Sequence, residues 1–535
     1  MTVRLLAVLV ACSSLPFASA QESSPPASAS ANDSVLAAAS SPSRGAAAPV
    51  ELLIRGDALH RLELRVDRAG EDLEAFWDET YAQLLAFFDR NADGWLTGEE
   101  GAALPSPFAM RQLLWGQFWT APGTSPPSAE LDRDQDGRIG RDELAAYYRG
   151  KGAGGLLVGI GRPPATALLT AALLGRLDQD GNGTVEEAEW RVADRLMTLD
   201  QNEDELVGPG ELVSGVTYPG ARGAILLPPL GSALPDDGLA ATFPLSLLSA
   251  RLAVSPDGAI RLPEGLTGSP QTAAESTATA IPETIETLRR IPAAAVWQVR
   301  FGSDESQPPE LREGSQGAPQ SEDLTLSAPG IQVVLRSDSG LLPELVAAAR
   351  KRFETQFSEL DKDSSGTLDP QELGATGARQ YRSLLALTDR DRDGALSTSE
   401  LDRWLALQAR IAEGQILLTF LDHGSGLFEL LDADQNGALS LRECRTAWDR
   451  VEKGGCVVAG RFEKERLPRQ LRATLSHGHP RTPLGPRKLR GPDWFQAMDR
   501  NQDGELSSRE FSGPRTAFQK LDRNSDGLIS LDETQ

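Results

Sequence analysis

Nine twelve-residue stretches of this chain place oxygen-bearing side chains at positions 1, 3, 5 and 12. In chain order the sets are Asp89, Asn91, Asp93 and Glu100; Asp132, Asp134, Asp136 and Glu143; Asp178, Asp180, Asn182 and Glu189; Asp200, Asn202, Asp204 and Glu211; Asp361, Asp363, Ser365 and Glu372. They resume with Asp389, Asp391, Asp393 and Glu400; Asp432, Asp434, Asn436 and Glu443; Asp499, Asn501, Asp503 and Glu510; Asp522, Asn524, Asp526 and Glu533. Clusters of hard oxygens at such short spacing suit a hard cation. Calcium takes six to eight oxygens at roughly 2.3–2.6 Å, and one loop of this spacing supplies nearly all of them. Position 7 adds a backbone carbonyl, from Trp95, Arg138, Thr184, Leu206, Thr367, Ala395, Ala438, Glu505 and Leu528. We refer to the stretches as loops 1 to 9.

Two further positions fit the same cage. Position 6 is glycine in eight loops and allows a sharp turn that a side chain resists. Loop 4 carries Glu205 there, which must adopt a left-handed or strained turn. Position 8 is always aliphatic and is expected to lie buried beneath the loop. Together these residues resemble the EF-hand calcium-binding superfamily, and the chain as a whole resembles exported bacterial multi-EF-hand proteins. The resemblance implies helix–loop–helix units, usually paired, with calcium as the cofactor.

The spacing between loops departs from that pattern. Ten residues separate Glu189 from Asp200, and eleven separate Glu510 from Asp522. Each gap has room for one shared helix of roughly 15 Å, which would keep the two loops from pairing face to face. Sixteen residues between Glu372 and Asp389 allow a longer or bent helix, while Pro126-Pro127 leaves almost no helix entering loop 2. Shared helices argue against a calmodulin-like opening, which needs two free helices per hand.

The net charge is −24, which argues against nucleic-acid or anionic-membrane partners. Much of the acid sits at ligand positions, so bound calcium would offset most of it. Arg4, the apolar run Leu5–Val10 and Ala18-Ser19-Ala20 form an export signal ending near Ala20, too short to span a bilayer as a mature helix. The location expected is therefore periplasmic, cell-surface or secreted, with lipidation at Cys12 in Leu9-Val10-Ala11-Cys12 as the alternative. Cys444 and Cys456 are expected as buried free thiols.

The expected organisation is a signal peptide (1–20), a Ser/Ala/Pro-rich disordered tether (21–50), a four-loop region (51–214), a Pro/Gly-rich linker with some strands (215–342), a three-loop region (343–455) and a two-loop region with strands (456–535). The fold class is mainly α with some β. Its helix–loop–helix units, several sharing one helix, accompany short strands in a small sheet or barrel. Helical spacing runs from Glu71 to Phe88. Strand patterns fall at His60–Val66, Ala295–Phe301, Ile331–Arg336, Gln415–Leu421, Cys456–Phe462 and Gln470–Ser476. Gly150–Gly161 reads as a flexible connector.

No nucleophile elbow, phosphate loop or dinucleotide loop is present. Asp422-His423-Gly424-Ser425-Gly426 sets acid, base and hydroxyl side by side, an arrangement that catalytic triads assemble in space rather than in sequence. His477-Gly478-His479 reads as an exposed turn. The expectation is therefore a protein that is not an enzyme, with calcium fastening a scaffold or an interaction surface for an unidentified protein or cell-wall partner. Two alternatives stand beside it: a calcium-stabilised extracytoplasmic enzyme with an unrecognised active site, and a calcium sensor. Only four methionines disfavour the sensor, which needs a Met-rich groove.

Overall fold

A computed structural model describes residues 50–55, 59–121, 126–161, 166–191, 193–216, 225–226, 242–244, 290–302, 307–314, 319–321, 323–481 and 491–534. The expected signal peptide and the tether, Val50 apart, lie outside these residues. Among the described residues no helix is long and apolar enough to cross a membrane.

Twelve strands build two open sheets: β1 (Val50–Arg55), β2 (Leu59–Arg68), β3 (Glu71–Asp72), β4 (Leu157–Gly161), β5 (Ile225–Leu226), β6 (Thr242–Pro244), β7 (Ala293–Phe301), β8 (Glu310–Glu313), β9 (Asp323–Ala328), β10 (Ile331–Asp338), β11 (Ile416–Gly424) and β12 (Arg469–His477). The first sheet has the order β6–β1–β2–β7–β8, with β3 turned back on β2. The second has the order β9–β10–β12–β11–β4–β5. Parallel pairs (β2 with β7, β10 with β12, β11 with β4) join segments far apart in sequence. Neither sheet closes on itself among the described residues, so of the expected small sheet or barrel it is open sheets that form, two of them.

The alternation in β2 buries Leu62, Leu64 and Val66, and that in β7 buries Trp297, Val299 and Phe301. Central strand β12 is buried at every residue from Gln470 to His477, as a strand covered on both faces must be. Gly150–Gly161 is corrected from connector to structure, because β4 pairs with Leu417–Leu421 of β11. The Cys456–Phe462 strand is instead a tight hairpin, Val457–Val458 against Arg461–Phe462, turned through Ala459 and Gly460 at positive φ.

Three long helices lie in the first core: α1 (Leu73–Phe88), α2 (Leu342–Leu360) and α3 (Thr398–Glu413). Phe76, Trp77, Tyr81 and Leu84 of α1 share that core with Phe353 of α2, Trp404 of α3 and the inward residues of both sheets. A second core gathers around loops 3, 4 and 7, with Trp190, Val207, Phe428, Leu439, Cys444 and Cys456. Both cysteines are buried and unbonded. A third, small core holds Phe495, Leu506, Phe518 and Ile529.

Among the described residues no unbroken helix joins loops 3 and 4 or loops 8 and 9. Between loops 3 and 4 the chain forms two short pieces, Glu187–Trp190 and the 3-10 turn Ala193–Leu199. After loop 8 it makes only a turn, reverses near Gly513-Pro514 and enters loop 9 through Arg515–Leu521. Pro514 disfavours a helical residue before it, so no helix runs through. Between loops 5 and 6 the helix breaks into Pro370–Leu373 and Arg379–Thr388, with Gly374 and Gly377 in the gap.

Candidate metal centres

Each loop is folded by the same internal hydrogen bonds. The position-12 carboxylate accepts the amide of position 2 through one oxygen, as in Arg90 to Glu100 at 2.9 Å, and all nine loops do this. Its second oxygen accepts the amide of position 9, as in Thr97 to Glu100 at 2.9 Å. One glutamate thus closes the ring and, in loops 1 to 7, caps the exiting helix. Position 1 accepts the amide of position 6 in every loop. Position 3 accepts from position 5, and position 5 from position 7.

Glu205 follows the rule despite its side chain: φ is 65° and its amide reaches Asp200 at 2.8 Å. Left-handed backbone is also imposed at position 4, where Ala92, Gln135, Glu203, Ser364, Arg392, Gln435, Gln502 and Ser525 carry it without glycine. All nine position-8 residues are buried, from Leu96 at 0% to Ile139 and Val185 at 3% exposure.

Carboxylates converge in five loops. Asp132, Asp134 and Asp136; Asp178, Asp180 and Glu189; Asp361, Asp363 and Glu372; Asp389, Asp391 and Glu400; and Asp432, Asp434 and Glu443 each bring one oxygen per residue within 4.8 Å of the others. Glu143 and Asp393 stand outside these groups. No such trio forms, among the described residues, from Asp89, Asp93 and Glu100, from Asp200, Asp204 and Glu211, from Asp499, Asp503 and Glu510, or from Asp522, Asp526 and Glu533. These four loops share an asparagine at position 3. Asn91, Asn202, Asn501 and Asn524 each turn the amide nitrogen onto the position-5 aspartate, at 2.7–3.1 Å.

A hard cation fits these donors, for two reasons. Position-1 oxygens Asp389 Oδ1, Asp432 Oδ1 and Asp499 Oδ1 are buried without a hydrogen-bond partner, an arrangement that is costly unless a cation takes them up. Burial also strains the charged form of the inner ligands. It pushes Asp434 up to about 8, helped by Glu443 and Asp432, and Glu443 up to about 7, helped by Asp432. Burial likewise raises Asp499 to about 6 and Asp503 to about 7. In loop 1 burial also acts to raise Glu100, but hydrogen bonds from Thr97 and Arg90 outweigh it and leave its pKa lowered.

The loops pair through position 8. Leu96 and Ile139 exchange amide bonds of 3.0 and 2.9 Å, joining loops 1 and 2. Thr367–Leu368 pairs with Leu396–Ser397, Leu206–Val207 with Leu439–Ser440, and Glu505–Ser507 with Leu528–Ser530. Loops 8 and 9 therefore do meet face to face, a correction that follows from the chain reversal at Gly513-Pro514. Loops 3 and 4 do not pair with each other. Loop 3 pairs instead with the 457–462 hairpin, through Glu186 with Arg461 and the Phe462 amide to the Val185 carbonyl.

Several arginines meet the loops without any motif to announce them. Arg472 of β12 holds Asp432 at 2.9 Å, with side-chain exposures of 6% and 0%. Arg336 of β10 donates to the Asp434 carbonyl. Arg442 meets Glu505 and, at 3.2 Å, Asp526. Each arises from long-range packing, and no sequence spacing encodes it.

The other candidate groups do not converge. His477 is 2% exposed, not in an exposed turn, and its ring packs on Phe301 at 4.5 Å. His479 faces Trp115 at 5.4 Å. His423 is buried at the end of β11, with Nδ1 3.8 Å from Glu429.

The EF hand family model matches residues 129–146, 353–375, 493–512 and 515–535. These segments contain loops 2, 5, 8 and 9. No curated protein and no solved structure matches the chain.

Proposed function

We propose that all nine loops bind calcium and that the bound ions fasten an exported, non-enzymatic scaffold. The observation that carries the reading is the uniform closure of every loop by its position-12 glutamate, including the five loops outside the family matches. Calcium, when bound, supplies two positive charges to groups of three or four carboxylates. The chain's own part is to fix those oxygens beforehand. Amides of positions 2, 5, 6, 7 and 9 orient them, and the buried position-8 residue anchors the loop on its core.

The consequence is a folding linkage. A site whose calcium stands at ten times its dissociation constant adds about 1.4 kcal/mol to stability. Nine such sites together rival the stability of an ordinary domain. Export, itself part of this proposal, would suit such sites, because extracellular calcium fills sites of about 10⁻⁴–10⁻³ M dissociation constant. The scaffold would present its surface to a protein or cell-wall partner.

The test is a calcium titration of chelator-stripped full chain, followed by calorimetry and thermal unfolding. Binding of seven to nine ions with a large rise in Tm supports the scaffold. Few ions with unchanged Tm would overturn it, and the loops would then be held by their hydrogen bonds alone.

A further inference from the structure

The C-terminal pair, loops 8 and 9, packs Phe495, Leu506, Phe518 and Ile529 into a core separate from the other two. Charged groups connect it to the rest of the molecule. Arg442 occupies position 11 of loop 7, next to the ligand Glu443. Its Nε meets Glu505, and its Nη2 lies 3.2 Å from Asp526 Oδ2. Arg445 Nη1, one helical turn on, donates to the Asp526 carbonyl at 2.6 Å. Arg509 of loop 8 lies 3.6 Å from Glu205 of loop 4.

These partners are not ordinary surface acids. Asp526 is the position-5 ligand of loop 9, and Glu505 is the position-7 residue of loop 8, whose carbonyl belongs to that loop's cage. A single guanidinium therefore touches ligand residues of two loops from within a third. We propose that Arg442 is a positioning residue that weakens calcium binding at loop 9 and links that site to the docking of the C-terminal pair. This rests on the calcium reading of the loops.

The physics fixes the sign. A positive charge on Asp526 draws on the same carboxylate that a cation needs, so it lowers the affinity of loop 9. Coupling is reciprocal: whatever Arg442 takes from calcium at loop 9, calcium there takes from the Arg442–Asp526 contact. Occupancy of loop 9 thus loosens the salt bridge that fastens the C-terminal pair to loop 7. Arg442 is about one third exposed, with a side-chain exposure of 36%, so screening limits the effect.

The experiment follows calcium titration of the full chain by the amide signals of position-6 glycines, which report each loop through their bond to position 1. Gly527 reports loop 9, Gly504 loop 8, Gly437 loop 7 and Gly183 loop 3. Arg442→Gln should tighten the Gly527 response by about five- to tenfold at low salt, and less at high salt. Arg442→Lys, which keeps the charge, should stay near wild type at Gly527, and Gly183 should not move in either variant. Equal Gly527 affinities in wild type and Arg442→Gln would overturn the proposal, as would Arg442→Lys behaving like Arg442→Gln. A silent response at every glycine of the wild type would overturn the calcium reading itself, a different failure. Dispersed Gly437 and Gly183 signals before calcium is added verify that each variant is folded.

Discussion

At the scale of single residues, the loops separate into groups that sit in water and groups that do not. Asp432 is 1% exposed and leans on Arg472, itself buried. Removing one partner of a buried pair leaves the other charge stranded, at about 3–5 kcal/mol. Arg472→Met should therefore lower stability by that order in chelator, as read by urea unfolding. With calcium the loss should shrink, because a cation compensates Asp432; a loss equal in both conditions would exclude any ion from loop 7. Glu205 offers the opposite change. Its φ of 65° costs roughly 1 kcal/mol for a residue with a Cβ. Glu205→Gly should raise the unfolding midpoint, and its 3.6 Å contact with the exposed Arg509 is too weak to reverse the sign.

His477 adds a pH dependence. Burial lowers its pKa to about 4, with Arg68 helping, against an unfolded value near 6.5. Between those two values the unfolded chain takes up the proton and the folded chain does not. Stability from this group is thus complete above about pH 6.5 and falls as pH drops toward 4, by up to about 3 kcal/mol. The stability difference between wild type and His477→Leu, measured in chelator across that window, should turn against the wild type as pH falls. A pH-independent difference would refute the assignment.

Elements explain what was legible in advance and what was not. Ligand positions, the buried position 8 and the β2 and β7 strands all follow from local spacing, because each loop closes on its own amides and each strand alternates. The left-handed position 4 has no sequence signature, because its residues vary freely. Gap lengths alone point to shared helices, but Gly513-Pro514 reverses the chain, and a reversed chain lets loops 8 and 9 pair. Sheet partners such as β11 with β4 are separated by more than two hundred residues, and their pairing is a property of the assembled core. Pairing carries a prediction of its own. Glu372→Gln should empty loop 5 and weaken loop 6 through the Thr367–Leu368 to Leu396–Ser397 ladder, while loops 8 and 9 stay unchanged. Amide titrations at Gly366, Gly394, Gly504 and Gly527 separate these outcomes, and equal weakening at all four would deny that the ladder carries the coupling.

Across the whole molecule the balance of charge decides the outcome. A net charge of −24 repels itself, and its densest points are the loop interiors. Hydrogen bonds from the loop amides orient those carboxylates but leave their charge in place. Among the described residues Arg472 pairs with a carboxylate ligand of loop 7 and Arg442 with one of loop 9, and ions from solution can neutralise the other loops. Mobile salt can do part of that work for exposed loops, where an ion atmosphere penetrates, and little for the buried ones. In chelator, raising sodium chloride from about 0.05 to about 0.5 M should therefore lift Tm by several degrees. In saturating calcium the same change should move Tm much less, because the repulsion that salt screens is already offset. A salt response of equal size with and without calcium would place the charge that matters outside the loops, and would remove electrostatic relief as the means by which calcium stabilises this fold.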